Sequence, residues 1–168
     1  TEINMFQHVP SIVCNSVEIN KVVELEKKSL TVLNNIGESV TINYPVPKVQ
    51  VEPLSVRLIS WAQREGMCDF GASGSLKSKK KQFLPLAHAI IIHIHGGGFI
   101  SQSSKSHEIY LRSWAKYLNV PILSIDYSLA PDNPFPIAVE ECFYSYCWVL
   151  NNLEKLGCRS DSRICVVG

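Results

Sequence analysis

An α/β fold built on a mostly parallel sheet is predicted by the pattern of this chain, and three observations carry that reading. Short β-branched runs alternate with longer stretches whose apolar residues recur every three or four positions, as strands joined by helices do. The run Ala89-Ile90-Ile91-Ile92-His93-Ile94 is apolar on both faces, which suits a central strand covered on two sides. The spacing of strand, helix, strand, helix, strand from there to Gly168 implies right-handed crossovers between parallel neighbours.

Taken in order, the N-terminal stretch is the least patterned. Val22, Val23, Leu25, Leu30 and Leu33, with Glu24, Glu26, Lys27 and Lys28 between them, predict an amphipathic helix ending near Asn34-Asn35 and Gly37. Residues 39–44 alternate like a strand, which Pro45-Val46-Pro47 ends. Ser55 to Ala62, with Val56 and Leu58, reads as a second strand. Between Glu65 and Gln82 the composition turns to Gly, Ser and Lys. Gly71-Ala72-Ser73-Gly74-Ser75 and Lys77-Ser78-Lys79-Lys80-Lys81 therefore predict a solvated loop.

The isoleucine run comes next and drives into Gly96-Gly97-Gly98. A helix is expected to start near Ser104 or Ser106, either of which is a suitable cap, with Leu111, Trp114, Ala115 and Leu118 as its buried stripe. Pro121 to Tyr127 is a further strand. After the turn-rich Ala130 to Pro136, a second helix follows, with Pro136 suited to its first position. Its apolar face is Val139, Cys142, Phe143, Tyr146, Cys147, Leu150 and Leu153, and Gly157 is its stop. Arg163 to Gly168 is a last, buried strand.

Composition limits the partners. The 168 residues are 46% apolar with a formal net charge of +1, which argues against nucleic acid. No stretch reaches the roughly 18 to 20 apolar residues of a transmembrane helix. The N-terminus has neither the basic region nor the apolar core of a signal peptide, and it lacks an initiator Met, so the chain is expected to begin inside a longer protein. The six cysteines contain no Cys-x-x-Cys pair. Cys142 and Cys147 share one predicted helix and Cys165 lies in a predicted strand, so they read as free thiols in a reducing, cytosolic compartment.

The chemistry gathers at His93-Ile94-His95-Gly96-Gly97-Gly98-Phe99. Glycines in series leave the backbone bare, and amides exposed at the end of a strand are suited to developing negative charge, as acyl transfer requires. A glycine turn without a ligand gives the same text. A phosphate loop is disfavoured because no Gly-Lys-Ser/Thr follows, and no cofactor is expected. His93 and His95 project from one strand face at a spacing that metal hydrolases use, with His88 at the strand's start. No Asp-His follows, and no carboxylate stands nearby before Glu108. A hydrogen-bonded histidine at the sheet end is the commoner role for His93, and no metal is expected.

His95-Gly96-Gly97-Gly98 resembles the oxyanion motif of lipases and esterases of the α/β-hydrolase fold, in particular the hormone-sensitive lipase family. Ser104 to Glu108, Tyr110 to Ala115, Ser124 to Pro131, Phe135-Pro136 and Glu140 to Phe143 are similar to the same family. Ser128, where bacterial and plant relatives usually carry Arg, points to its animal branch. The likeness is close from about Val56 to Gly168. It implies a chain in which residues 1–50 end an N-terminal domain and lead into the catalytic domain. Residues 51–168 would be the N-terminal part of that domain, an incomplete α/β-hydrolase fold.

The resemblance also assigns roles. The N–H groups of Gly97 and Gly98 would receive the carbonyl oxygen, with His95 and Gly96 shaping the loop. Asp126 and Tyr127 would hold that loop from behind, and Phe99 would line the acyl pocket. Asp126 fails as a triad acid, because in this fold the acid follows the nucleophile in chain order. Gly168 looks like the first glycine of the Gly-x-Ser-x-Gly elbow. The nucleophile, acid and base are therefore expected to lie outside these residues, and the isolated chain is expected to be inactive, with Ile164, Val166 and Val167 on an open apolar edge. The parent is expected to hydrolyse acylglycerols, cholesteryl esters and related lipid esters through a covalent acyl-enzyme, at a lipid-droplet surface reached from the cytosol. The alternative is a non-catalytic module that uses the scaffold to bind a small ligand or a partner.

Overall fold

The computed structural model describes residues 16–49, 53–67 and 83–168. Its strands are β1 (Ile19–Glu24), β2 (Leu30–Leu33), β3 (Ser39–Ile42), β4 (Ser55–Ser60), β5 (Ala87–Ile94), β6 (Ile122–Asp126) and β7 (Cys158–Val167), and its helices are α1 (Glu108–Tyr117) and α2 (Ile137–Asn152). A five-stranded sheet runs β1-β4-β6-β5-β7, beside a β2-β3 hairpin. The isoleucine strand β5 lies parallel to both β6 and β7, whereas β4 is antiparallel to β6 and to β1. The C-terminal ends of β5, β6 and β7 thus meet at one edge, the usual place for a ligand in an open α/β sheet.

Alternation along β5 divides the core between the two faces. Ile90 and Ile92 pack with Leu58, Leu123, Ile125, Tyr144 and Val149 on the α2 side. Ile91 packs with Ile59, Leu111, Ala115 and Ile122 on the α1 side. Burial on both faces is why this strand reads as a continuous apolar run.

The stretch from Val22 to Leu33, expected as a helix, is instead a strand, a turn and a strand. Val23 stands opposite Val56 in the β1-β4 pairing, and Leu25 and Leu30 are buried. The Tyr144 hydroxyl lies 3.1 Å from the Glu26 carbonyl and 2.8 Å from that of Lys28, which ties the turn to α2. Sheet pairing by β-branched residues and burial of both leucines outweigh the helical spacing of the charges.

Other boundaries also move. α1 begins at Glu108 with no side-chain cap, because the Ser104 hydroxyl is committed to Asp126. Leu111 and Ala115 are buried as expected, but Trp114 and Leu118 remain 39% and 53% exposed, and Glu108 is buried in their place. Pro136 is the N-cap of α2 rather than its first residue. The helix buries Ala138, Glu141, Ser145 and Val149, one stripe at helical spacing, together with Tyr144 and Cys147. Val139 and Phe143 are left about half exposed. Two polar residues in that stripe hid it from a reading based on hydrophobicity. Cys165, expected in a buried strand, is exposed on β7, which pairs only with β5 among the described residues.

The segment holding Gly71 to Ser75 and Lys77 to Lys81 lies outside the described residues, as do Cys14 and Cys68. No described helix is long and apolar enough to cross a membrane.

Candidate functional site

β5 ends at Ile94 and the chain turns through three residues with positive φ: Gly97 at +122°, Gly98 at +65° and Phe99 at +62°. A Cβ on Gly97 would lie 2.2 Å from the Ser101 carbonyl oxygen, so only glycine fits there. The Gly97 carbonyl accepts the Ile100 N–H and the Ser101 hydroxyl, both at 3.2 Å, which folds the loop back on itself. Gly97 and Gly98 are exposed residues, and neither amide finds an acceptor among the described residues.

Neighbouring strands hold this loop along its length. The Tyr127 hydroxyl donates to the His95 carbonyl at 2.6 Å, and the two rings stack with centroids 4.1 Å apart. His95 donates its Nδ1–H to the Gly96 carbonyl at 2.8 Å, so its imidazole braces the backbone of the next residue. The Ala130 N–H donates to the Phe99 carbonyl at 2.8 Å. At the far end Asp126 accepts both the N–H and the hydroxyl of Ser104, each at 2.7 Å, and Arg57 Nε donates to the same hydroxyl oxygen at 2.9 Å. Phe99 is half exposed, with its ring 5.7 Å from that of Tyr127. Gly168, at the end of β7, lies against Ile94: a Cβ built on it would be 3.2 Å from the Ile94 carbonyl oxygen.

Beneath the loop His93 is buried, with Nδ1 2.7 Å from the Ser124 hydroxyl and Nε2 2.9 Å from that of Tyr110. Burial, with the rings of His107 and His95 nearby, pushes its pKa down to about 4, so it is neutral and both nitrogens are occupied. His107 reaches the same tyrosine through Nδ1 at 2.7 Å, and burial with His95 close by lowers its pKa too. Burial raises the pKa of the Tyr110 and Tyr127 phenols, which keeps both as donors. His88 is exposed at the opposite end of β5. Among the described residues no three His, Cys, Asp or Glu side chains converge in a way that suits a metal ion.

The structure therefore brings His95, Gly96, Gly97, Gly98, Phe99, Asp126 and Tyr127 to one end of the sheet. It adds Ser104, Tyr110, Ser124, Ala130 and Glu141, to which the sequence pattern assigned no part in the site. For Glu141 a signal was present but masked: it sits at the buried spacing between Ala138 and Ser145, in a stripe that a second polar residue interrupts. For Ser124 and Tyr110 none was, because their partner His93 is distant in the chain.

Residues 91–168 match the family model described as alpha/beta hydrolase fold. Residues 1–68 match the one described as Hormone-sensitive lipase (HSL) N-terminus. Hormone-sensitive lipase from Bos taurus is 40% identical over 179 aligned residues, covering 100% of this chain and 24% of its own. The Mus musculus protein of the same name is 38% identical over 178, covering 100% and 23%. The chain thus spans about a quarter of the length of the curated relatives it matches. Among solved structures, a hyperthermophilic esterase from Pyrobaculum calidifontis superposes with a TM-score of 0.56 at 22% identity, over 97% of this chain and 40% of its own. That likeness is one of fold.

Proposed function

Since the chain belongs to the hormone-sensitive lipase family of the α/β-hydrolase fold, we propose that it carries the oxyanion half of a carboxylester hydrolase site. The N–H groups of Gly97 and Gly98 are the donors. One observation carries this reading: two adjacent amides of exposed residues find no acceptor among the described residues, in a loop that four hydrogen bonds hold in place. When an oxygen nucleophile attacks an ester carbon, the carbonyl π pair moves onto oxygen. Donors fixed in advance stabilise that charge with no reorganisation, and each is worth roughly 3 to 4 kcal/mol. His95 and Gly96 shape the loop, Tyr127 and Asp126 hold its two ends, and Phe99 borders the acyl group.

The nucleophile in this proposal is a serine two residues beyond Gly168, in the longer protein. The reading is supported by the position of Gly168 at the end of β7, against the end of β5. Residues 1–50 lead into the catalytic domain and residues 51–168 begin it. Acylglycerols and other lipid esters are the substrate class, met at a lipid droplet from the cytosol. Support for the compartment comes from Cys142, Cys147, Cys158 and Cys165, all unbridged.

A short-chain p-nitrophenyl ester tests the assignment. The longer protein should turn it over and its Gly97→Pro variant should not. The 168-residue chain should show no turnover above that variant, and turnover by the short chain would mean that the attacking group lies within it.

A further inference from the structure

The strap that follows β6 touches the glycine loop twice. Tyr127 donates to the His95 carbonyl and Ala130 to the Phe99 carbonyl, so the two bonds bracket Gly97 and Gly98. Between them stands Ser128, whose two donors both turn away from the loop. Its N–H donates to Glu141 Oε2 at 2.5 Å and its hydroxyl to Oε1 at 2.8 Å. Glu141 belongs to α2 and is 3% exposed, and no cation pairs with it among the described residues.

A carboxylate in such a place is costly unless its lone pairs are used. Here both oxygens serve one residue of the strap, and charge-assisted bonds of this kind are the strong ones. Ser128 is thereby fixed to α2 just beyond the end of β6, where the strand pairing has stopped.

We propose that Glu141 is a positioning residue for the oxyanion site: through Ser128 it sets where Tyr127 and Ala130 hold the loop that presents the Gly97 and Gly98 amides. The inference rests on the oxyanion reading of that loop. Glu141 touches no substrate. Without it, the N–H and hydroxyl of the half-buried Ser128 lose their common acceptor, the strap relaxes, and both bracketing bonds lengthen. Misplacement of the amides by an ångström is enough to slow the chemistry by one to two orders of magnitude.

Two variants of the full-length protein separate this role from plain packing. Glu141→Leu keeps the volume and removes the acceptors. Glu141→Gln keeps one acceptor for the Ser128 N–H and gives its amide to the Ser128 oxygen. In Glu141→Leu, kcat should fall at least about tenfold with KM nearly unchanged, and the Ala130 amide should exchange its hydrogen about tenfold faster. Glu141→Gln should recover most of both losses. If Glu141→Leu does not fold, Ser128→Ala takes its place: it removes the hydroxyl bond and keeps the N–H bond, so both the fall in kcat and the acceleration of exchange at Ala130 should be smaller, about threefold each. A folded Glu141→Leu protein with normal kcat and normal exchange overturns the proposal. A wild-type protein without esterase activity overturns the oxyanion reading instead, while exchange at Ala130 still reports on the strap.

Discussion

Tyr127 holds His95 in two ways at once, by a 2.6 Å hydrogen bond to its carbonyl and by a ring stack at 4.1 Å. The stack is worth little without the hydroxyl, because His95 is the residue at which β5 stops being a strand and its carbonyl has left the ladder. Tyr127→Phe keeps the ring and removes the donor. The change should lower stability by about 1 to 2 kcal/mol, the cost of a buried carbonyl left without a partner. In the full-length protein it should reduce kcat by about tenfold. Denaturant unfolding and steady-state kinetics check the two outcomes separately.

The three glycines are not equivalent. Gly97 combines φ of +122° with a Cβ position 2.2 Å from a backbone oxygen, whereas Gly98 has φ of +65° and open space around it. Gly98→Ala should therefore cost about 1 kcal/mol, the ordinary left-handed penalty. Gly97→Ala should cost about 3 kcal/mol or more, since strain and a backbone clash add. Gly96 has an unremarkable φ and free space, and Gly96→Ala should cost least. Melting temperatures of the three variants give the order directly.

His93 makes stability depend on pH. Folding moves its pKa from 6.5 down to about 4, with burial as the main cause. Above pH 6.5 the ring is neutral in both states and contributes nothing to the slope. Between 6.5 and 4 the unfolded chain binds a proton that the folded chain refuses, so stability falls with pH, by about 3 kcal/mol in total. His93→Gln has no imidazole to charge and should lose about that much less over the same interval. Equal pH slopes for wild type and variant contradict the assignment.

Thiol reactivity should follow burial. Burial pushes the Cys142 thiol up to about 12, with the Glu141 charge adding to it, and burial also takes Cys158 to about 12. Cys147 is buried and raised in the same direction. Cys165 is exposed on β7. Brief N-ethylmaleimide treatment of the folded chain should label Cys165 and leave Cys142, Cys147 and Cys158 for labelling after unfolding, as peptide mass spectrometry will read.

Much of this fold is legible because β5 and its helices are defined by local pattern. A strand covered on two faces takes apolar residues wherever no polar partner is at hand, as Ser124 and Tyr110 are for His93, and a glycine run after it leaves the backbone bare. The stretch from Val22 to Leu33 misleads, because charges at helical spacing carry less weight than the pairing of Val23 with Val56, which only the folded sheet supplies. The supports of the glycine loop are hidden for the same reason. Ser104 looks like a helix cap until Asp126, 22 residues away, claims both its donors. Glu141 looks like a surface charge until α2 turns it inward.

The most direct measurement is a crystal structure of the full-length protein inhibited by a phosphonate ester, whose tetrahedral phosphorus carries an oxygen in place of the oxyanion. The account predicts that oxygen at about 2.7 to 3.1 Å from both the Gly97 and the Gly98 nitrogens. A phosphoryl oxygen held by other donors, with those two amides still open to solvent, would contradict it.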